Sequence, residues 1–160
     1  MKLDSTAIID YDYVTFRAAI ADIASQVKMS DFEPDYIVGI VRGGAIPAVY
    51  LSHALNIPVV MLHWSSRDNQ VGGNESNCWI PQDLLDGKCV LLVDDIVDGG
   101  ETVRQIIEDW GNSVRDELPL RNVKVASLVY NTRQDVSVDF YHTEVDRDAD
   151  KRWFVFDWEV

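Results

Sequence analysis

The sequence predicts an open α/β fold, with a mostly parallel sheet flanked by helices, and three observations carry that prediction. Apolar, β-branched runs at 36–41, 90–93 and 123–130 have the length and continuity of strands buried on both faces. The first two feed directly into glycine turns, Arg42-Gly43-Gly44 and Gly99-Gly100, and then into stretches of helical periodicity. Such alternation implies right-handed crossover units, whose ligands bind beyond the carboxyl ends of the strands.

Composition narrows the field. The 160 residues suffice for one domain, 1–160, with its own core. A net charge of −13 argues against a general nucleic-acid or membrane-surface binder, because phosphate-rich surfaces reward basic faces. No apolar run approaches the roughly 20 residues of a membrane span. The start Met1-Lys2-Leu3-Asp4 lacks a signal pattern, so a cytoplasmic location is the expectation. Cys78 and Cys89 match no metal motif and read as reduced thiols. His53, His63 and His142 show no ligand spacing, and His53 reads as structural.

Taken in order, 12–27 is a helix with Asp12 as its cap and Phe16, Ile20, Ile23 and Val27 on one face. The strand 36–41 ends on Arg42, whose fork can grip an anion. A salt bridge to a nearby acid is the plainer alternative. A helix over 45–56 follows, with Pro47 suited to its first turn, and 58–64 is β-rich. Residues 65–82 are polar, contain Gly72-Gly73 and lack periodicity. That stretch reads as a flexible loop, either a lid over the site or a simple insertion. Arg67 is the residue there whose type suits phosphate.

The stretch 90–103 is the most informative. An apolar strand reaches Asp94 and Asp95, then Asp98, and turns through Gly99-Gly100 into Glu101-Thr102. The free N–H groups and positive dipole end of a helix start suit a phosphate. Carboxylates beside such a cradle suit ligand hydroxyls or a bound metal. Val103, Ile106, Ile107, Trp110 and Val114 then share a helical face. The strand 123–130 leads to a loop at Asn131. Residues 136–160 are rich in aromatics and acids, and 153–158 is too apolar to be a free tail. The strand ends bring Arg42, 94–102 and Asn131 to one edge.

The stretch 90–103 resembles the phosphoribosyl-pyrophosphate signature of type I phosphoribosyltransferases: strand, acid pair, third acid, small-residue loop, threonine. Val38-Gly39-Ile40-Val41-Arg42-Gly43-Gly44-Ala45-Ile46-Pro47 resembles that family's pyrophosphate loop. The short length and the ending Arg152-Trp153-Phe154-Val155-Phe156-Asp157-Trp158-Glu159 are similar to bacterial xanthine-guanine enzymes. The resemblance implies the type I phosphoribosyltransferase fold, with a small C-terminal hood over about 136–160. It also implies Mg²⁺-dependent transfer of a phosphoribosyl group to a nucleobase, with a 6-oxopurine favoured, and a homo-oligomer, dimer or tetramer.

Residue by residue, the resemblance gives Asp94 and Asp95 the ribose hydroxyls, and Asp95 the metal. Gly99, Gly100, Glu101 and Thr102 take the 5′-phosphate, and Arg42 and Gly43 the pyrophosphate. The peptide after that loop's first residue is expected to be cis. Asp98 belongs to both substrates and acts as general base, while Trp153 and Phe154 flank the nucleobase. One departure concerns Asn131, which stands where purine enzymes of the family carry a lysine. Asn both donates and accepts, so it can still read a base. The departure also admits a regulatory protein that binds phosphoribosyl pyrophosphate without turnover. A phosphoacceptor domain, whose acid pair opens the chain, fits poorly with a pair at mid-chain. A P-loop nucleotidase fits less well still, because no G-x-x-x-x-G-K-[ST] accompanies the acidic strand.

Overall fold

A short strand, β1 (Ile8–Tyr11), leads into the first helix through Asp12. The Asp12 carboxylate accepts the Thr15 N–H at 2.8 Å, satisfying one of the helix's free donors. Helix α1 (Tyr13–Met29) buries Phe16, Ile20, Ile23 and Val27, the face its periodicity predicts. The computed structural model describes residues 7–64 and 79–160. Within them follow β2 (Tyr36–Val41), α2 (Ala45–Leu55), β3 (Val59–His63), α3 (Trp79–Leu85), β4 (Val90–Val97) and α4 (Glu101–Ser113). The chain ends with β5 (Val123–Asn131), β6 (Phe140–Val145) and β7 (Trp153–Phe156).

Strands β2 to β6 form one parallel sheet in the order β3-β2-β4-β5-β6. Alternate side chains leave a strand on opposite faces. Ile37, Leu91, Val93, Ala126 and Leu128 therefore pack with Phe16, Ile23 and Leu51 of α1 and α2. Val38, Ile40, Leu92 and Val125 pack with Leu84, Ile106 and Trp110 of α3 and α4. The β5–β6 crossover has no helix. Residues 132–139 make the return instead, and Val136 and Val138 pack into the core on the α4 side.

Three elements go beyond the sequence expectation. Strand β1 is too short to announce itself, and it exists by pairing with β7, Ile8 opposite Trp153 through Tyr11 opposite Phe156. Helix α3 begins inside the stretch expected as a loop, so 79–82 are helical. Ile80, Pro81 and Leu84 are its buried residues, a pattern too short to show a period. Residues 65–78, and with them Arg67 and the lid, lie outside the described residues. The segment 136–160 divides, because Phe140–Val145 is the edge strand of the main sheet and the hood is β7 on β1. Rings hold that hood down: Tyr11 lies 5.1 Å from Phe156, and Trp158 lies 4.9 Å from Phe156 and 5.0 Å from Phe16. No described helix is long and apolar enough to cross a membrane.

Candidate functional site

The sheet order reverses between β2 and β4, where α2 and α4 depart to opposite faces. Loops that diverge at such a point leave a crevice beyond the strand ends. The β2–β4 ladder ends at Gly39 opposite Val93, so Asp94 and Asp95 lie beyond its last pair, at the mouth of the crevice. A cavity of about 670 Å³ fills the crevice. It is lined by Arg42, Gly43, Asp94, Asp95, Asp98, Gly99, Gly100, Glu101, Thr102, Trp153 and Phe154. Trp64, Phe156, Trp158 and Glu159, none of them assigned to the site from sequence, also line it.

The two glycine turns meet at one point. A Cβ on Gly43 would lie 2.2 Å from Asp95 Oδ2 and 2.5 Å from its Cγ, so only glycine lets the Arg42 loop rest on that carboxylate. Gly43→Ala is expected to push Asp95 off its position, costing about 1–3 kcal/mol by overpacking. Ligand affinity should fall at least tenfold in a calorimetric titration with phosphoribosyl pyrophosphate, and unchanged affinity would show that the contact is dispensable. The cis peptide is Val41–Arg42, one bond earlier than the family resemblance implies. The Arg42 guanidinium makes no ion pair among the described residues, which leaves it for an anionic ligand.

Asp94 and Asp95 stand side by side on the cavity wall. Asp94 Oδ1 accepts the Asp95 N–H at 2.9 Å, and Asp95 Oδ1 accepts the Ile96 N–H at 2.7 Å. Asp95 is only 8% exposed. Burial, and then the neighbouring Asp95 charge, hold the Asp94 carboxyl well above the usual range. Burial also pushes Asp95 up to about 6, opposed by the Ile96 N–H and aided by the charge of Glu159. Each acid keeps a second oxygen outside these backbone bonds. Two crowded carboxylates with spare oxygens suit a hard cation that keeps some of its own waters. Among the described residues, no group of three or more His, Cys, Asp or Glu converges as a cage. Such a cation would therefore draw its remaining oxygens from ligand and water.

Beyond Asp98 the chain turns through Gly100, whose φ of 75° is left-handed, and α4 begins. Glu101 sits in the expected phosphate loop, but its carboxylate is engaged along the helix. It accepts Arg104 Nη1 at 2.6 Å and Gln105 Nε2 at 2.9 Å. Arg104 also donates to the Gly99 carbonyl at 3.2 Å and to Asp135 at 2.7 Å, tying the turn in place.

Asn131 is the expected residue that does not line the cavity. It is 7% exposed and stands behind Asp98, donating to the Asp98 carbonyl at 2.9 Å and to its carboxylate at 3.3 Å. Arg147 is the residue that sequence reasoning missed. Its Nε donates to Asp98 Oδ1 at 2.9 Å. Arg133 and Lys151, the nearer cations by sequence, serve elsewhere: Arg133 pairs with Asp146 at 2.7 Å, and Lys151 is exposed. The only sequence signal for Arg147 was its place in the short turn between a strand and the aromatic ending.

Comparison with known proteins agrees with this geometry. The family described as the phosphoribosyl transferase domain matches residues 12–160. A xanthine-guanine phosphoribosyltransferase of Cereibacter sphaeroides is 33% identical over 127 residues, covering 78% of this chain and 68% of the relative. One from Chromohalobacter salexigens is 32% identical over 140 residues, covering 86% and 75%. Among solved structures, a purine phosphoribosyltransferase from Pyrococcus horikoshii superposes with a TM-score of 0.73 at 26% identity, over 96% of this chain and 95% of that one.

Proposed function

This chain belongs to the phosphoribosyl transferase domain family, and from that premise we propose that it transfers the 5-phosphoribosyl group of phosphoribosyl pyrophosphate to a nucleobase. The acceptor class is a 6-oxopurine, guanine, xanthine or hypoxanthine, and the cofactor is Mg²⁺. The observation that carries the reading is the contact of Gly43 with the Asp95 carboxylate, which joins an anion-binding loop to an acidic strand end in one cavity.

The chemistry follows from the charges that develop. As the ribose C1–O bond breaks, the sugar gains oxocarbenium character and the departing pyrophosphate gains negative charge. Asp94 and Asp95 accept the 2′- and 3′-hydroxyls and face the positive sugar, while Arg42 and the Gly43 backbone take the pyrophosphate. Gly99 to Thr102 wrap the 5′-phosphate at the start of α4. Trp153 and Phe154 flank the base. Asp98 takes the ring N–H proton as that nitrogen bonds to C1. Asp95 would hold Mg²⁺, which would supply neutralisation of the charge developing on pyrophosphate.

A calorimetric titration with phosphoribosyl pyrophosphate and Mg²⁺, paired with a pyrophosphate-release panel of adenine, guanine, hypoxanthine, xanthine and pyrimidines, tests this reading. Binding together with release by 6-oxopurines is expected. Binding without release for any base would instead leave a regulatory phosphoribosyl-pyrophosphate-binding protein. We also expect a dimer or tetramer by light scattering, as in the family, and a monomer at micromolar concentration would count against it.

A further inference from the structure

We propose that Arg147 is a positioning residue of the nucleobase half, acting through Asp98. The proposal rests on the transferase reading above and assigns a role within its site.

Arg147 lies in the turn between β6 and β7 and does not line the cavity. Its guanidinium sits behind two walls at once. On one side, Nε donates to Asp98 Oδ1 at 2.9 Å. On the other, Nη1 donates to the Arg152 carbonyl, at the entry to β7. The guanidinium carbon is 5.5 Å from the Phe154 ring centroid and 6.0 Å from that of Trp153. The Asn131 side chain completes the arrangement, bonding Asp98 through Nδ2 and accepting the Arg147 N–H at 3.4 Å through Oδ1.

One side chain thus fixes the distance between the acid that meets the base edge and the rings that meet the base face. Those two walls belong to separate sheets, β4 in the main sheet and β7 in the hood, and no backbone ladder joins them. A planar fork can bridge two acceptors in different directions, which an ammonium cannot do with fixed geometry. The Nη2 of Arg147 is buried with no partner among the described residues. A buried unpaired N–H opposes stability, so stabilising the fold is a poor account of why this side chain is placed there. Asn131 and Arg147 thus meet the same Asp98 oxygen, Oδ1, and hold it together.

The test is a double-mutant cycle of Arg147→Met and Asp98→Asn, read with hypoxanthine and guanine as acceptors and by titration with guanosine monophosphate. In the wild-type background, Arg147→Met should raise the KM for base and lower kcat/KM about 30-fold. Affinity for phosphoribosyl pyrophosphate should change less than twofold. In the Asp98→Asn background the same substitution should change kcat/KM and nucleotide affinity less than about threefold, since residues acting as a unit are not additive. Arg147→Lys should recover part of the loss, and it replaces the Met variant in the cycle if that variant does not fold. An undiminished effect in the Asp98→Asn background, or an equal loss of phosphoribosyl-pyrophosphate affinity, overturns the positioning role alone. Absence of base-dependent turnover in the wild type overturns the transferase reading itself.

Discussion

Asp98→Asn is expected to lower base-dependent pyrophosphate release by about 10²- to 10³-fold and to leave phosphoribosyl-pyrophosphate affinity within about threefold of wild type. The amide matches the carboxylate in shape, so its oxygen can still accept Arg147 Nε, now held at 2.9 Å. That orientation turns the NH₂ group toward the cavity, where the wild type presents an acceptor. A base approaching with its ring N–H then meets a donor, and no proton can be taken as the new bond forms. The sugar half should be spared, because the proposed hydroxyl acceptors, Asp94 and Asp95, lie on the strand before the turn. Steady-state release assays and titration with phosphoribosyl pyrophosphate separate the two effects. Parallel loss of binding and turnover would assign Asp98 to the sugar-phosphate half instead.

The contrast between the two halves of the site tracks how each is encoded. The sugar-phosphate half is local: acids, glycines and helix start fall within 94–102, and the chain need only turn once to bring them together. Such a segment is legible because each residue type carries its own chemistry at short spacing. Arg42-Gly43 needed one further step, the inference that two strand ends share an edge. The base half is assembled from distant pieces, with Asp98 on a loop after β4, Asn131 at the end of β5, and Arg147 in a turn before β7. Nothing in the Asp146-Arg147-Asp148 sequence distinguishes a positioning cation from a solvated one. Its neighbour Asp146 pairs outward with Arg133 while Arg147 turns inward. Strand β6 was not legible either: its buried residues, Phe140 and Val145, lie five positions apart, so Phe140-Tyr141-His142-Thr143-Glu144-Val145 shows no strict alternation. Nor was strand β1: four residues acquire strand structure only from a partner more than 140 positions away.

Asp95→Asn should make the free protein more stable at neutral pH while weakening phosphoribosyl-pyrophosphate binding about 100-fold. Burial raises the Asp95 carboxyl from an ordinary 3.8 to about 6 in the folded chain, and Asp94 is raised further by burial and by Asp95. Between about pH 4 and 6 the native state therefore holds more protons than the unfolded state. Stability from Asp95 is fully present below pH 4 and declines as pH rises through that window, the reverse of a salt-bridged carboxylate. A shift of about two units corresponds to a penalty of about 3 kcal/mol at pH 7. The amide removes that share, so the melting temperature of the variant should exceed that of the wild type by several degrees at pH 7.5, with the gap closing near pH 4. Ligand reverses the order: phosphoribosyl pyrophosphate with Mg²⁺ should raise the wild-type melting point strongly at pH 7.5, less at pH 5, and the variant little at either. Scanning calorimetry across that range decides the matter. A variant less stable than wild type at pH 7.5 would mean that the acid pair is held by bonds stronger than its own repulsion. The expected outcome identifies the pair as strain kept for ligand binding, offset only when the sugar and its cation are in place.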